Sequence, residues 1–230
     1  MGEEVGMNGR LARWSGFAFV VLLLLQAGMA DIPTLDTPID RIQRFYASHG
    51  RTIVAAQIVS VAASIFFFLF AWGLARDVNP ESVAATARVR LTGALVAIAS
   101  LATAIPPISL ALASAPSDST AHTLTRAADV TDAVLFAAIA LFSLELFRDA
   151  ARRWLKVLSV VVAALSLARA VLGVAEVTAL DVIGPLAFLA LVLVVSVAAI
   201  RGRLAAQADA SPTPPDAASP QRSSSPDVET

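Results

Sequence analysis

The feature that most constrains this chain is a series of long apolar stretches, each close to the length needed to cross a bilayer. A membrane span requires roughly 20 mostly apolar residues to cover about 30 Å of hydrocarbon. Lipid offers no hydrogen-bond partner to a bare backbone N–H or C=O, and no period-2 alternation indicates barrel strands, so each stretch must be helical. The sequence predicts an all-α, polytopic membrane helix bundle with six transmembrane helices, at 14–30, 52–75, 89–113, 130–147, 155–178 and 182–200.

The composition indicates a lipid bilayer as the environment of the protein and excludes several other classes. Of the 230 residues, 57% are hydrophobic and 15% are charged, against about 45–50% and 25% in soluble domains. The absence of cysteine excludes disulfides, thiolate metal sites and thiol catalysis. A formal net charge of −1 provides no field that would recruit nucleic acid, so we expect none as a partner.

The distribution of basic residues predicts the orientation of the spans. With the N-terminus inside, the cytoplasmic segments hold 12 of the 17 Lys and Arg residues, the outer segments hold four, and Arg169 lies within a span. This bias satisfies the positive-inside rule, and Trp14, Trp72 and Trp154 fall at cytoplasmic helix ends, where such rings anchor. We therefore predict a multi-pass protein of the cytoplasmic (plasma) membrane with both termini in the cytoplasm. Cleavage of residues 1–30 as a signal peptide is the alternative, and it would leave the later orientations unchanged.

The sequence divides into a cytoplasmic N-terminus at 1–13, a transmembrane domain at 14–203, and a cytoplasmic tail at 204–230. The tail is rich in Ala, Ser and Pro and is predicted to be disordered, because it cannot bury enough apolar surface to offset chain entropy.

The first outer loop is predicted to contain a separate interfacial helix at 38–49. Thr37 is a suitable N-cap, Pro38 suits the first helical position, and Gly50 is a plausible stop. Its charged face predicts that it lies flat on the outer surface or roofs the bundle. The third span is predicted to stop at Ile105, before two prolines, with 108–113 as a short apolar return or a kinked continuation.

A weak internal repeat relates spans two and three to spans four and five. Leu69–Asp77 aligns with Leu141–Asp149, and Ala97–Ile105 aligns with Ala163–Val171. The matches are short and composed of common residues, so shared membrane composition remains an alternative explanation. If the repeat is real, three pairs of polar positions correspond: Gln57 with Asp129, Ser60 with Asp132, and Thr103 with Arg169.

Charged residues inside the predicted spans are the candidate site. A charge near a helix centre costs roughly 2.5–3.5 kcal/mol on insertion, so a lipid-facing Arg169 is disfavoured. Antiparallel neighbours joined by a short inner loop bring Arg169 and Asp132 to similar depth, which predicts an ion pair. The candidate ligand-binding or ion-pair residues are Asp129, Asp132, Arg169, Glu176, Gln57 and Asp181. Such a cluster either fixes helix packing or forms a polar outer vestibule for a solute or proton.

No catalytic constellation is evident. The two histidines, His49 and His122, fall in outer segments, which excludes a pair of buried axial haem ligands, and no phosphate-loop, zinc-protease or nucleophile-elbow motif occurs. The Asp129 and Asp132 pair alone is a weak signal for metal or acid–base chemistry. We therefore expect no cofactor, no metal and no catalytic residue.

The region around the first loop resembles a known group of proteins. It contains Pro38-Ile39-Asp40, Phe45-Tyr46-Ala47, His49 and Arg51, and the following span closes on Leu74-Ala75-Arg76. This pattern resembles an uncharacterised actinobacterial family of multi-span integral membrane proteins, classed as a domain of unknown function. The resemblance implies a membrane location and a helical fold over about residues 12–200, but no activity, ligand or site residue.

Three functions follow as hypotheses. The first is a non-enzymatic membrane protein with a packing, partner-binding or regulatory role, acting as a homo-oligomer or with a membrane partner. The second is a small-solute or proton-coupled transporter that uses the outer charged cluster. The third is an intramembrane enzyme acting on a lipid-like substrate through the two aspartates.

Overall fold

The computed structural model describes residues 3–29, 37–78, 82–113, 117–150, 152–172 and 179–201, with side chains from 14 onward in the first helix and from 182 onward in the last. The described residues form helices and contain no strand, as predicted. The elements are α1 (Glu3–Ala27), α2 (Ile39–Val78), α3 (Val83–Thr103), α4 (Ile105–Leu112), α5 (Asp118–Asp149), α6 (Arg153–Leu172) and α7 (Ala179–Ile200). The predicted disordered tail at 204–230 lies outside the described residues.

Five helical segments are long and apolar enough to cross a membrane: α2, α3 together with α4, α5, α6, and the 182–200 part of α7. The apolar part of α1, Trp14–Ala27, is shorter. Helix α1 begins at Glu3, so it includes most of the predicted cytoplasmic segment 1–13 and continues from it into the first predicted span. The chain is therefore an all-α, multi-pass membrane bundle.

The five membrane-capable segments and α1 form a closed ring in which each helix packs on its neighbours in chain order. The packed pairs are α1 with α2, α2 with α3, α3 with α5, α5 with α6, α6 with α7, and α7 with α1. Short α4 packs on α2 and α5 at one end, and α2 also meets α5 across the ring. The end that holds α4 is predicted to face outward, and we call it the outer end.

The prediction of a separate interfacial helix at 38–49 is wrong. Helix α2 runs without interruption from Ile39 through Gly50 to Val78. A Cβ at Gly50 would lie 3.1 Å from the carbonyl oxygen of Ala111, so this glycine permits close approach of α4 and does not end the helix. The apolar face of this first part of α2 is buried against Leu110 of α4 and Ala121 of α5.

The two prolines after α3 kink the helix without reversing the chain. Ala104 keeps right-handed helical backbone angles (φ −78°, ψ −22°), and α4 resumes at Ile105 with prolines in its first turn. Of the two predicted alternatives for 108–113, the kinked continuation is therefore observed. This continuation places α4 over the outer end of the ring.

Candidate ligand-binding cavity

A cavity of about 640 Å³ lies in the outer half of the ring, and all seven helices contribute to its walls. Most of the lining is apolar. Polar side chains converge on it from five of the helices: Gln26, Tyr46, Gln57, Ser60, Ser100, Thr103, Thr125, Asp129, Asp132 and Arg169. Ligand pockets usually measure about 300–1,000 Å³, and this cavity falls within that range.

The predicted ion pair between α5 and α6 lies in the wall of this cavity. Arg169 Nη2 donates a hydrogen bond to Asp132 Oδ2 at 3.0 Å. The Arg169 side chain is 19% exposed and the Asp132 side chain is 36% exposed. The guanidinium carbon also lies 5.5 Å from the centroid of the Phe136 ring, within cation–π range. The pair is therefore held at the cavity surface and is not sealed between the two helices.

Helix α7 packs against the arginine stem at Gly184. A Cβ at Gly184 would lie 3.6 Å from Arg169 Cβ and 3.5 Å from Phe136, which are ordinary contact distances. Asp129, one turn before Asp132, lines the same wall.

Two buried residues with polar side chains, Gln57 and Tyr46, line the cavity. Gln57 is 4% exposed and Tyr46 is 5% exposed. Their amide and hydroxyl groups add hydrogen-bonding capacity to a wall that is otherwise largely apolar.

Aromatic rings form the inner boundary of the cavity. Phe67 packs against Phe19, Phe188 and Phe142, with ring centroids 5.1 to 5.5 Å apart. Among the described residues of α2 and α1, Phe67 and Phe19 are the lining residues nearest the inner end. The cavity is thus confined to the outer half, above an apolar layer.

The six positions paired by the internal repeat all line this one cavity. Gln57, Ser60 and Thr103 lie on α2 and α3, while their counterparts Asp129, Asp132 and Arg169 lie on α5 and α6. The weak sequence repeat thus coincides with a spatial arrangement around a common space.

Other sequence candidates are placed differently. The Glu176 and Asp181 side chains lie outside the described residues. Ser166, which the sequence places on the same helical stripe as Arg169, is fully buried but does not line the cavity. Tyr46 is not among the residues predicted from the sequence, because the predicted separate interfacial helix at 38–49 would lie outside the bundle.

A second ionic cluster, near the inner end, was also missed. Arg88 Nε on α3 donates to Glu145 at 2.9 Å, and its Nη2 contacts both Asp149 carboxylate oxygens at 2.9 Å. The Asp149 side chain is 9% exposed. These bonds tie α3 to α5 across 57 and 61 residues of sequence, which no local pattern in the sequence could reveal.

We expect Arg88→Ala to lower the melting temperature in mild detergent by about 2–4 °C, because two carboxylates lose their common partner. Arg76→Ala removes an exposed arginine at the inner end of α2 and is the matched control, with little expected change. Equal melting temperatures for the two variants would show that the cluster contributes nothing to stability.

No group of three or more His, Asp or Glu side chains that could hold a metal occurs in the described part of the chain. Comparisons with protein families, curated proteins and solved structures found no match to this chain. The resemblance to an actinobacterial family therefore stays a prediction.

Proposed function

We propose that this is a non-enzymatic protein of the plasma membrane that binds a small molecule in its outer-half cavity. The observation that carries the proposal is the cavity of about 640 Å³, whose largely apolar wall also contains polar side chains such as those of Gln57 and Tyr46. Ligand pockets typically combine an apolar lining with a few polar groups that orient the bound molecule.

The alternative in which the charged cluster only fixes helix packing is less well supported. Polar groups that serve as packing contacts between membrane helices bond directly across the interface. Ser64 does so, since its hydroxyl donates to Ser100 Oγ at 2.8 Å. Arg169 and Asp132 also bond directly between α6 and α5, but they do so at the surface of a space large enough for a ligand.

Transport of the bound molecule is a second candidate function. In many transporters, structural repeats surround a binding site near the membrane midplane. The placement of the repeat-related positions around one cavity favours this possibility. Transport would also require the layer around Phe67 to open, so accumulation of a bound molecule inside vesicles would distinguish transport from binding alone.

Cysteine substitution tests whether the cavity admits a small molecule, because the chain has no natural cysteine. Ser60→Cys places a thiol in the cavity wall with minimal change in size. We expect N-ethylmaleimide, a small uncharged reagent, to label this variant in vesicles. Absence of labelling would contradict the proposed function.

Two matched serine substitutions control the assay. Ser119→Cys lies in an exposed position on α5 and should react fully. Ser166→Cys is fully buried away from the cavity and should stay unreacted. Equal reactivity of Ser60→Cys and Ser166→Cys would show that the cavity is closed to small molecules.

A further inference from the structure

A tryptophan and an arginine meet on the surface between α2 and α3, near the inner end of the ring. The Arg90 guanidinium carbon lies 4.4 Å from the centroid of the Trp72 ring, which is a close cation–π contact. Trp72 also packs on Phe68, one turn earlier on α2, with ring centroids 5.5 Å apart. Trp72 is 43% exposed, so this pair faces away from the interior of the bundle.

Arg90 lacks the carboxylate partners that its neighbour Arg88 has. Residues two apart on a helix point about 200° away from each other, and Arg88 faces α5, where it pairs with Glu145 and Asp149. Arg90 faces α2 and forms no ion pair within the described part of the chain, where its buried Nε also has no hydrogen-bond partner. The positive charge of Arg90 is therefore available to a group outside the protein.

The surroundings of this arginine add positive charge. Arg76 lies one turn after Trp72 on the same face of α2 and is exposed. The acidic residue in these last turns of α2, Asp77, lies about 140° around the helix from Trp72. Two arginines thus lie beside one tryptophan, and we expect this surface to attract an anion.

The Arg90–Trp72 pair lies at the level where lipid headgroups begin. Both residues fall at the inner ends of the second and third predicted spans, and tryptophan favours the interface between membrane and water. Toward the outer end, the same helix faces carry exposed apolar side chains: Ile65, seven residues before Trp72, and Leu101, eleven residues after Arg90. An anion bound at Arg90 therefore has apolar surface beside it for a hydrocarbon chain.

We propose that this surface binds the headgroup of an anionic glycerophospholipid in the leaflet that contacts the inner end. The terminal amino groups of Arg90 donate to oxygens of the phosphodiester, which suit a planar guanidinium. Stacking on Trp72 fixes the guanidinium plane, and Arg76 adds attraction at longer range. An acyl chain packs along Phe68 and Ile65. The cavity lies in the other half of the ring, so this site is independent of the proposed function.

Quenching of tryptophan fluorescence by brominated lipids tests the site in the full chain, reconstituted in phosphatidylcholine vesicles. The chain has three tryptophans, and Trp14→Phe with Trp154→Phe leaves Trp72 alone. At equal mole fraction, brominated phosphatidylglycerol should quench Trp72 more strongly than brominated phosphatidylcholine. The bromine lies at the same depth in both lipids, so the comparison gives their relative binding constant at Trp72. Equal quenching by the two lipids would overturn the proposal.

Three variants in this background separate the site from general surface charge. Arg90→Gln should lower the relative binding constant of phosphatidylglycerol about 5-fold. Arg153→Gln removes an equal charge at an exposed inner-end position on α6, across the ring, and should leave the constant unchanged. Arg90→Lys keeps the charge without the planar fork and should lower the constant by a smaller factor. Equal constants in Arg90→Gln and Arg153→Gln, or an undiminished constant in Arg90→Lys, would overturn the guanidinium site.

Inorganic phosphate distinguishes a lipid headgroup from an aqueous anion. Replacing chloride with phosphate at constant ionic strength should leave the excess quenching by brominated phosphatidylglycerol unchanged, because free phosphate has no acyl chain to pack on α2. Loss of the excess quenching in phosphate would replace the lipid with a free anion and overturn the proposal.

Discussion

Replacing Arg169 with alanine is expected to lower the free energy of unfolding by about 2–3 kcal/mol, among the largest effects of any single side chain in this protein. Removing one partner of a fully buried ion pair costs about 3–5 kcal/mol, because the other charge is left desolvated. The Asp132 side chain is 36% exposed toward the cavity, so water screens part of that cost. The loss also includes the contact of the guanidinium with the Phe136 ring.

Chemical or thermal unfolding in mild detergent measures this effect. Arg126→Ala is the control, since Arg126 is an exposed arginine on α5, and we expect a change of less than about 0.5 kcal/mol. Adding Asp132→Asn to Arg169→Ala should recover part of the loss, because the unpaired charge is removed. An Arg169→Ala variant as stable as Arg126→Ala would contradict a structural role for the pair.

Replacing Gly93 with valine is expected to destabilise the bundle by about 3 kcal/mol, because it separates α2 from α3. A Cβ at position 93 would lie 2.5 Å from Ala71 Cβ and 3.5 Å from the Phe142 ring. A Cβ atom is fixed to its backbone and cannot rotate away, so the two helices must move apart. Close packing through small residues is a main source of association between membrane helices.

Gly28→Val provides the matched control, since the nearest atoms to a Cβ at Gly28 are 3.6 Å away, at ordinary contact distance. Restoring space opposite the new side chain with Ala71→Gly should recover part of the stability of Gly93→Val. If Gly93→Val unfolds at the same temperature as Gly28→Val, the close approach of α2 and α3 at this position is wrong.

The sequence predicts the helical class and one interhelical contact correctly because both depend on simple local quantities. Span length and hydropathy determine which segments can cross a bilayer. The Arg169 pairing follows from depth, since α5 and α6 are antiparallel neighbours joined by a short connection and their charged residues fall at matching levels. Neither the helical class nor the Arg169 pairing depends on how the helices are arranged around the ring.

The remaining features depend on packing between segments that are distant in sequence. Glycine often ends a helix, which is why Gly50 suggests a stop. A glycine inside a helix, however, costs only about 1 kcal/mol. Burial of Ile42, Tyr46 and Ile53 against α4 and α5 outweighs that cost. The Arg88 cluster similarly requires α3 to lie beside α5. The cavity itself results from closure of the ring by α1 and α7, which no local sequence pattern encodes.

We propose that small molecules enter the space in the outer half of the ring. The ratio of N-ethylmaleimide labelling rates between Ser60→Cys and Ser166→Cys measures this most directly, since both are serine-to-cysteine changes at buried positions. We expect Ser60→Cys to react at least about 10-fold faster, because thiol reactivity depends on access. A ratio near one would contradict it and reduce the Arg169–Asp132 pair to a packing contact.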